Sequence, residues 1–432
     1  MASGFNRQRY YENLLLELYQ NLESKPSIVY DFLSLIDDLD VFITGNAINY
    51  LGILHDASDI LDREEGFQKI TNLGTNLQNR DLSPEEEARL EYTLGNAQTG
   101  LLRIHGGLTS WDWEKPEMEV IIRRFRRALD SKGIQKLTSE EIQKSYTNLG
   151  NVLSNIGRWI EAFWNWRKAI EIDPPFLRAL GQIGMSLLSY ARHVPNPAER
   201  VVLFQTAHDY LRQALLDGQL HQDMRERFQQ NLKWLQSNVS SKILQLDIDL
   251  SDISLGSSKE QKYREWCLEN VLFLNPLNDV TTESRAAKDS IHLPKVSQSD
   301  SEKLISCTGF LNQIKQEYVS ARHQLWRGIS ASPDHYSDKA VTRRNTFDYS
   351  RHSMGVELIK SGFRASYSIF DKIAKFISHY FGLNYIKEHK LYFSNVWYKS
   401  GGKNQLAPEF QNKKNWPLRG LFWLSKDLEF NS

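Results

Sequence analysis

YTNLGNVLSNIGRWIEAFWNWRKAIEIDP, residues Tyr146–Pro174, reads as two helices joined by a tight turn. Leu149 and Leu153 put apolar side chains on one face of the first helix, and Ala162, Trp166 and Ala169 do so on the second. Gly150 and Ala162 are small where two antiparallel helices cross closely, and Trp166 fills the groove toward the next pair. Gly157 suits the turn. Pro174 stops the second helix, because it lacks an N–H and clashes with the preceding turn. The pattern then recurs. Ile183-Gly184 follows Leu149-Gly150 by 34 residues (183 − 149), and Leu187 follows Leu153 by the same interval.

Looser copies lie on both sides. Leu94-Gly95 opens one that closes with Phe125 and Ala128, stretched by the loop from Gly106 to Pro116. Ala207, Leu211 and Ala214 repeat the order of Ala162, Trp166 and Ala169, and Leu51-Gly52 opens a degenerate unit upstream. The period and the positions of Leu149, Gly150, Ala162, Trp166, Ala169, Pro174 and Gly184 resemble a divergent tetratricopeptide (TPR) array of four or five helical hairpins. Such arrays curve, and the resemblance implies a protein or peptide partner on the concave face. Asn148, Asn151, Asn155 and Arg178 stand where that face is lined, or are simply solvated helix residues. No lysine pattern of the carboxylate-clamp kind is present.

After Asn238 the repeat ends. Leu246, Ile248 and Leu250 alternate with Asp247 and Asp249, which permits a short strand or an extended arm. A helix follows around Trp266, and Pro276 with Asn278 and Asp279 breaks it. From Asp279 to Lys303 the chain is polar and reads as mostly irregular. Cys267 reads as structural, with only Arg264 near enough in sequence to favour a thiolate.

Two long helices come next. One is expected from Ser306 to Ile329, with Phe310, Ile314, Tyr318, Ala321 and Leu325 inward and Glu317 beside them. The other is expected from Ser350 to Phe381, with an apolar stripe of Phe363, Tyr367, Phe370, Ala374, Ile377 and Phe381. Glu357, Arg364 and Asp371 recur every seven residues beside that stripe. They read either as a structural ladder with Glu317 or Arg322, or as an RNA or dimer-interface site with Arg364 and Lys372.

Trp266-Cys-Leu-Glu-Asn270, Lys315-Gln-Glu317 through Arg322, Phe363-Arg364, Phe370-Asp371-Lys372 and Trp397-Tyr398 resemble a TPR-linked subfamily of HEPN domains, over roughly Tyr263–Leu428. The resemblance implies a helical bundle that pairs as a homodimer. In many relatives it also implies a metal-independent ribonuclease of defence or toxin systems. The usual motif is an Arg, usually followed by a polar residue, with four to six residues between it and the His. Here only Arg285 and His292 meet that spacing, and Ala286 follows Arg285. Arg344 with His352, and Arg327 with His335, are eight positions apart, which on a helix leaves the side chains about 80° apart. In the subfamily the motif belongs to a later helix. Two expectations therefore stay open: a chain continuing beyond Ser432 to a catalytic helix, or a relative that binds without cutting.

Composition sets bounds around this. Of 432 residues, 41% are hydrophobic and 25% charged, which is ordinary globular usage. Two cysteines exclude a disulfide framework and suit a reducing compartment. The N-terminal stretch carries Arg7, Arg9, Glu12 and Glu17, and so reads as an amphipathic helix rather than a signal peptide. No apolar run reaches membrane-spanning length, and a cytoplasmic protein is expected. Residues 301–432 hold 20 Lys+Arg against 11 Asp+Glu, and the remainder 33 against 42. A basic C-terminal part favours a polyanion such as RNA. Lys399, Lys403, Lys413 and Lys414 beside Trp397 and Trp416 suit the same ligand. No Walker loop, dinucleotide fingerprint, HExxH or paired CxxC is present, so neither metal nor cofactor is expected.

The reading is all-α: a TPR-like α-solenoid in 1–245, a connector in 246–303, and a HEPN-like bundle in 304–432, incomplete if the chain is a fragment. The function expected is a sensor–effector, in which the array recognises a protein and the bundle binds or cleaves RNA. The rival is a non-catalytic protein–protein scaffold.

Overall fold

The computed structural model describes residues 2–172, 175–293, 301–332, 335–342, 352–399 and 405–430. Within them the chain is all-α, with a single isolated bridge between Tyr398 and Leu406. The helices are α1 Ala2–Asn21, α2 Pro26–Ser34, α3 Thr44–Leu61, α4 Glu64–Leu77, α5 Pro84–Ile104, α6 Pro116–Asp130, α7 Ser139–Asn155, α8 Trp159–Ile170, α9 Leu177–Ala191, α10 Pro197–Ala214, α11 Gln222–Asn238, α12 Ser241–Leu244, α13 Ser258–Glu269, α14 Ser301–Ile329, α15 Met354–Phe381, α16 Pro408–Gln411 and α17 Trp416–Phe430. They divide between two compact units. The first is Met1–Ser186 with Tyr210–Gln229 and Trp416–Leu421; the second is Leu187–Asp209, Gln230–Asn415 and Phe422–Ser432.

In the first unit consecutive helices pack in pairs: α3 on α4, α5 on α6, α7 on α8. Capping boxes set two of the entries. Ser83 and Glu86 satisfy each other's backbone at the start of α5, and Thr138 and Glu141 do so for α7. The α7–α8 pair follows the sequence reading in its buried positions, except that Trp166, expected in the groove toward the next pair, sits in the crossing of its own pair. Leu149, Ala162, Trp166 and Ala169 are buried, and Gly157 turns the chain with φ +86°. A Cβ on Gly150 would lie 2.6 Å from the Trp166 ring, so the helix crossing requires glycine there. Gly95 faces Phe125 in the same way, at 3.1 Å. Gly184 on α9 is buried, as are Ala207, Leu211 and Ala214 on α10. Pro174 lies outside the described residues.

A buried cation that the sequence did not advertise also sits in this unit. Arg419 is 1% exposed and donates to the backbone oxygens of Asn155 (3.2 Å) and Asp112 (2.6 Å). Its guanidinium lies over Trp111 and Trp416. Burial pushes its pKa down to about 10.

In the second unit the segment read as a connector has a core of its own. Cys267, Leu268, Phe273, Leu277, Ala286 and Ala287 pack together with Val202. Leu246–Leu250, read as a short strand or an extended arm, forms no strand, and Ile248 and Leu250 rest on that core. The turn is held by buried carboxamides. The Asn275 side chain accepts from Leu277 N–H and donates to Ala286 O; that of Asn278 accepts from Phe273 N–H and donates to Leu268 O. Tyr190 donates to the Asp279 carboxylate at 2.5 Å, and Ser290 to Glu199 at 2.8 Å. So the polar letters of this stretch are its internal framework.

The seam between α14 and α15 corrects the stripe expected from sequence. Phe363 and Tyr367 are 68% and 52% exposed. Gly355, Gly362 and Ile369 are buried instead, while Ala374 and Ile377 of the expected stripe are buried as read. A Cβ on Gly362 would meet the Ala321 carbonyl oxygen at 3.0 Å, and one on Gly355 the Gly328 carbonyl oxygen at 2.9 Å. Two small-residue heptads, Gly355/Gly362 and Ala321/Gly328, therefore let the backbones approach. Toward its C-terminal end α15 follows the expected stripe. There Phe370, Phe381, Phe393, Trp397, Phe410 and Phe422 form an aromatic cluster of stacked, tilted and edge-to-face pairs, with ring centroids 5.1–5.9 Å apart.

Candidate functional site

A groove of about 900 Å³ opens within the first unit. The first helix of each successive hairpin lines it: Asn46 and Asn49 from α3, Tyr92 and Asn96 from α5, Asn148 and Asn151 from α7, Arg178 and Gln182 from α9. Asn148 donates to Asn96 Oδ1 at 2.8 Å and to Tyr92 Oη at 3.3 Å. Trp166 Nε1 donates to Asn151 Oδ1 at 3.1 Å, so the residue that fills the α7–α8 crossing also orients a groove side chain. Burial pushes the Tyr92 phenol up to about 12, which keeps it a neutral hydrogen-bonding group.

The cations that line the groove are each paired, two with carboxylates of the lining (Glu141, Asp59) and two with carboxylates outside it (Glu140, Asp217). Arg89 pairs with Glu141 at 3.0 Å, Arg103 with Asp59 at 2.9 Å, Lys144 with Glu140 at 2.7 Å and Arg178 with Asp217 at 3.5 Å. Of the residues expected on this face, Asn148, Asn151 and Arg178 line the groove. Asn155 does not; its side chain donates to Leu108 O and its carbonyl accepts from Arg419. Asn46, Asn49, Tyr92 and Asn96 were missed in the sequence, because the hairpins before α7 carry no clear 34-residue register.

In the second unit Arg322 is 5% exposed. It makes a two-point pair with Asp289 at 2.9 and 3.0 Å, and donates to Tyr263 Oη and Leu272 O. Its plane lies 4.7 Å from the Phe273 ring centroid. It is thus a structural tie between α14 and the preceding segment, with no donor face turned to solvent for a phosphate. Glu317 pairs with Lys372 across the two long helices, and that bond holds its carboxyl below the usual range. Asp371 accepts from Phe393 N–H, Glu357 pairs with Lys360, and Arg364 is exposed. The seven-residue ladder is therefore not a ladder. Glu357, Arg364 and Asp371 stand two positions on from Gly355, Gly362 and Ile369, about 200° around the helix from the seam.

Arg285 is held by two bonds to Asp252, at 3.1 and 2.6 Å, and His292 Nδ1 faces Ser290 O at 3.0 Å. His352 is exposed, and Arg344 lies outside the described residues. Cys267 is buried, and desolvation raises its thiol to about 11. Among the described residues no group of three or more His, Cys, Asp or Glu is placed to hold a metal ion, and no helix is long and apolar enough to cross a membrane.

Residues 298–432 match the LA2681-like HEPN family. The C-terminal part of the chain is a HEPN-like helical domain, and a domain of this kind points to a nucleotide- or RNA-related role. No curated protein and no solved structure matches the chain.

Proposed function

We propose that this protein is a two-part sensor–effector. In this reading the TPR-like array of 1–245 takes a protein segment in its groove, 246–303 connects, and the HEPN-like domain acts on RNA. The observation that carries it is the pairing, in one chain, of a polar groove of about 900 Å³ with a HEPN-like domain at 298–432. The basic excess of residues 301–432, 20 Lys+Arg against 11 Asp+Glu, supports a polyanion there. Exposed Arg364 is proposed as an RNA or dimer-interface residue, with Lys372 and Asp371 farther along α15, where Glu317 and the Phe393 N–H already engage them. Defence or toxin-type response is the context that the family resemblance supplies.

Binding rather than cutting is the chemistry the site favours. Arg285, the one arginine with a histidine at the motif spacing, is tied to Asp252. The test uses the full chain and a labelled mixed-sequence single-stranded RNA. Retention at 50 mM salt that falls at least tenfold by 200 mM is expected. No retention at low salt would remove the RNA role and leave the protein–protein scaffold. Cleavage in excess chelator would show a metal-independent ribonuclease.

A further inference from the structure

A second cavity, of about 530 Å³, lies wholly within the second unit. Val201 and Val202 of α10 line it on one side, and Leu246, Ile248 and Ile253 of the arm that follows α12 line it on another. Leu277 of the buried turn adds to the lining. The arm is pinned at both ends. Gln205 of α10 donates to Ile243 O and Leu246 O, each at 2.8 Å. Farther along, Arg285 N–H donates to Leu250 O at 2.8 Å and Ile253 N–H to Ser284 Oγ at 3.2 Å. The Arg285 side chain holds Asp252. These bonds fix the backbone of the arm, so the space beside it belongs to the fold. Leu246 stays 56% exposed and Ile253 38%, which leaves apolar surface open to a ligand.

The polar side chains of this lining are few, and the accessible ones donate. Asn196 Oδ1 already accepts from Ala198 N–H at 3.0 Å, which leaves its NH₂ to donate. Lys288 is exposed and meets no carboxylate among the described residues. The other lining cation, Arg285, is matched by Asp252. The one lining carboxylate, Glu199, is 5% exposed and already accepts from Ser290 at 2.8 Å. Mostly apolar walls with a few placed polar groups, in a volume of several hundred Å³, are what small-molecule sites offer. An ammonium and an amide donor together suit a carboxylate.

We infer that this cavity binds a small amphiphile, an alkyl chain ending in a carboxylate. Its chain lies between α10 and the arm, and its head meets Lys288 and Asn196. Such a ligand is different in kind from the protein and RNA partners proposed above.

The test is calorimetric titration of the full chain with hexanoate, octanoate, decanoate and dodecanoate, each below its micellar concentration. Burying one methylene contributes about 0.8 kcal/mol, so affinity should tighten about fourfold per added carbon until the cavity is filled, and then level off. Lys288→Gln should weaken decanoate about three- to tenfold and leave octan-1-ol unchanged. Leu246→Asn should weaken both. Lys288 has no partner in the fold to lose, so an unchanged melting temperature of Lys288→Gln separates a lost contact from a lost fold. No saturable binding of decanoate at millimolar concentration overturns the site. Binding indifferent to both substitutions overturns it too, because the amphiphile then sits elsewhere. Octylammonium binding tighter than octanoate overturns the carboxylate assignment and gives the head to Glu199.

Discussion

Arg322 shows how one residue decides a local structure. Its guanidinium meets Asp289, Tyr263 and the Leu272 carbonyl, and stacks near Phe273. Arg322→Ala strands a largely buried carboxylate and should cost about 3–5 kcal/mol in urea unfolding. Arg322→Met with Asp289→Leu removes both charges and should recover most of that loss. Equal losses for the single and double variants would show that the pair is not what matters. Glu317 makes a pH-dependent contribution. Its carboxyl is held low chiefly by the Lys372 bond. A lowered folded pKa means stability that is present above the unfolded value, about 4.3, and lost as pH falls through the folded one. Wild type should therefore exceed Glu317→Gln in urea midpoint at pH 7 by a small margin, as expected for a partly exposed pair. The margin should shrink as pH falls below about 4.3 and vanish once it is below the lowered folded value. Both cysteines are buried and burial raises both thiols. Iodoacetamide at pH 7.5 should label neither until denaturant is added, as read by intact mass; ready labelling of Cys267 in the folded protein would contradict its burial.

At the scale of elements, two helix crossings depend on glycine for different reasons. Gly150 makes room for a ring, and Gly362 lets two backbones touch. Trp166→Ala empties the first crossing and removes the Thr147 and Asn151 bonds, with an expected cost of about 3–5 kcal/mol. Gly362→Ala forces α14 and α15 apart at a contact of 3.0 Å to a carbonyl oxygen, with an expected cost of about 1–3 kcal/mol. A stability unchanged by Gly362→Ala would mean that the seam is looser than described. The close approach at Gly150 was legible in the sequence, because small residues at fixed offsets in a 34-residue period mark a crossing; that Trp166 fills that same crossing was not. The second crossing was not legible. Aromatic residues at spacings of four and three looked like the buried stripe, yet Phe363 and Tyr367 lie a quarter-turn or more from the glycines that form the contact. Hydrophobicity marks what prefers burial; small size marks where helices actually meet.

At the scale of the whole chain, the charge balance is zero, but it is divided: +9 in residues 301–432 and −9 in the rest (20 − 11 and 33 − 42). That division was open to view in the sequence, and it is what the proposed RNA role draws on. The sequence by itself determined the all-α class, the hairpin period around Leu149 and Gly150, and the HEPN resemblance. Each is a matter of local pattern: helix periodicity, capping boxes and fixed offsets between neighbours in the chain. Tertiary structure decided the rest. It gathered carboxamides from helices as far apart as Asn46 and Gln182 into one groove, turned Arg322 inward onto Asp289, and made a core from the polar stretch around Asn275 and Asn278. A carboxamide or a guanidinium reads the same in sequence whether it faces water or a partner. Only its neighbours in space fix which.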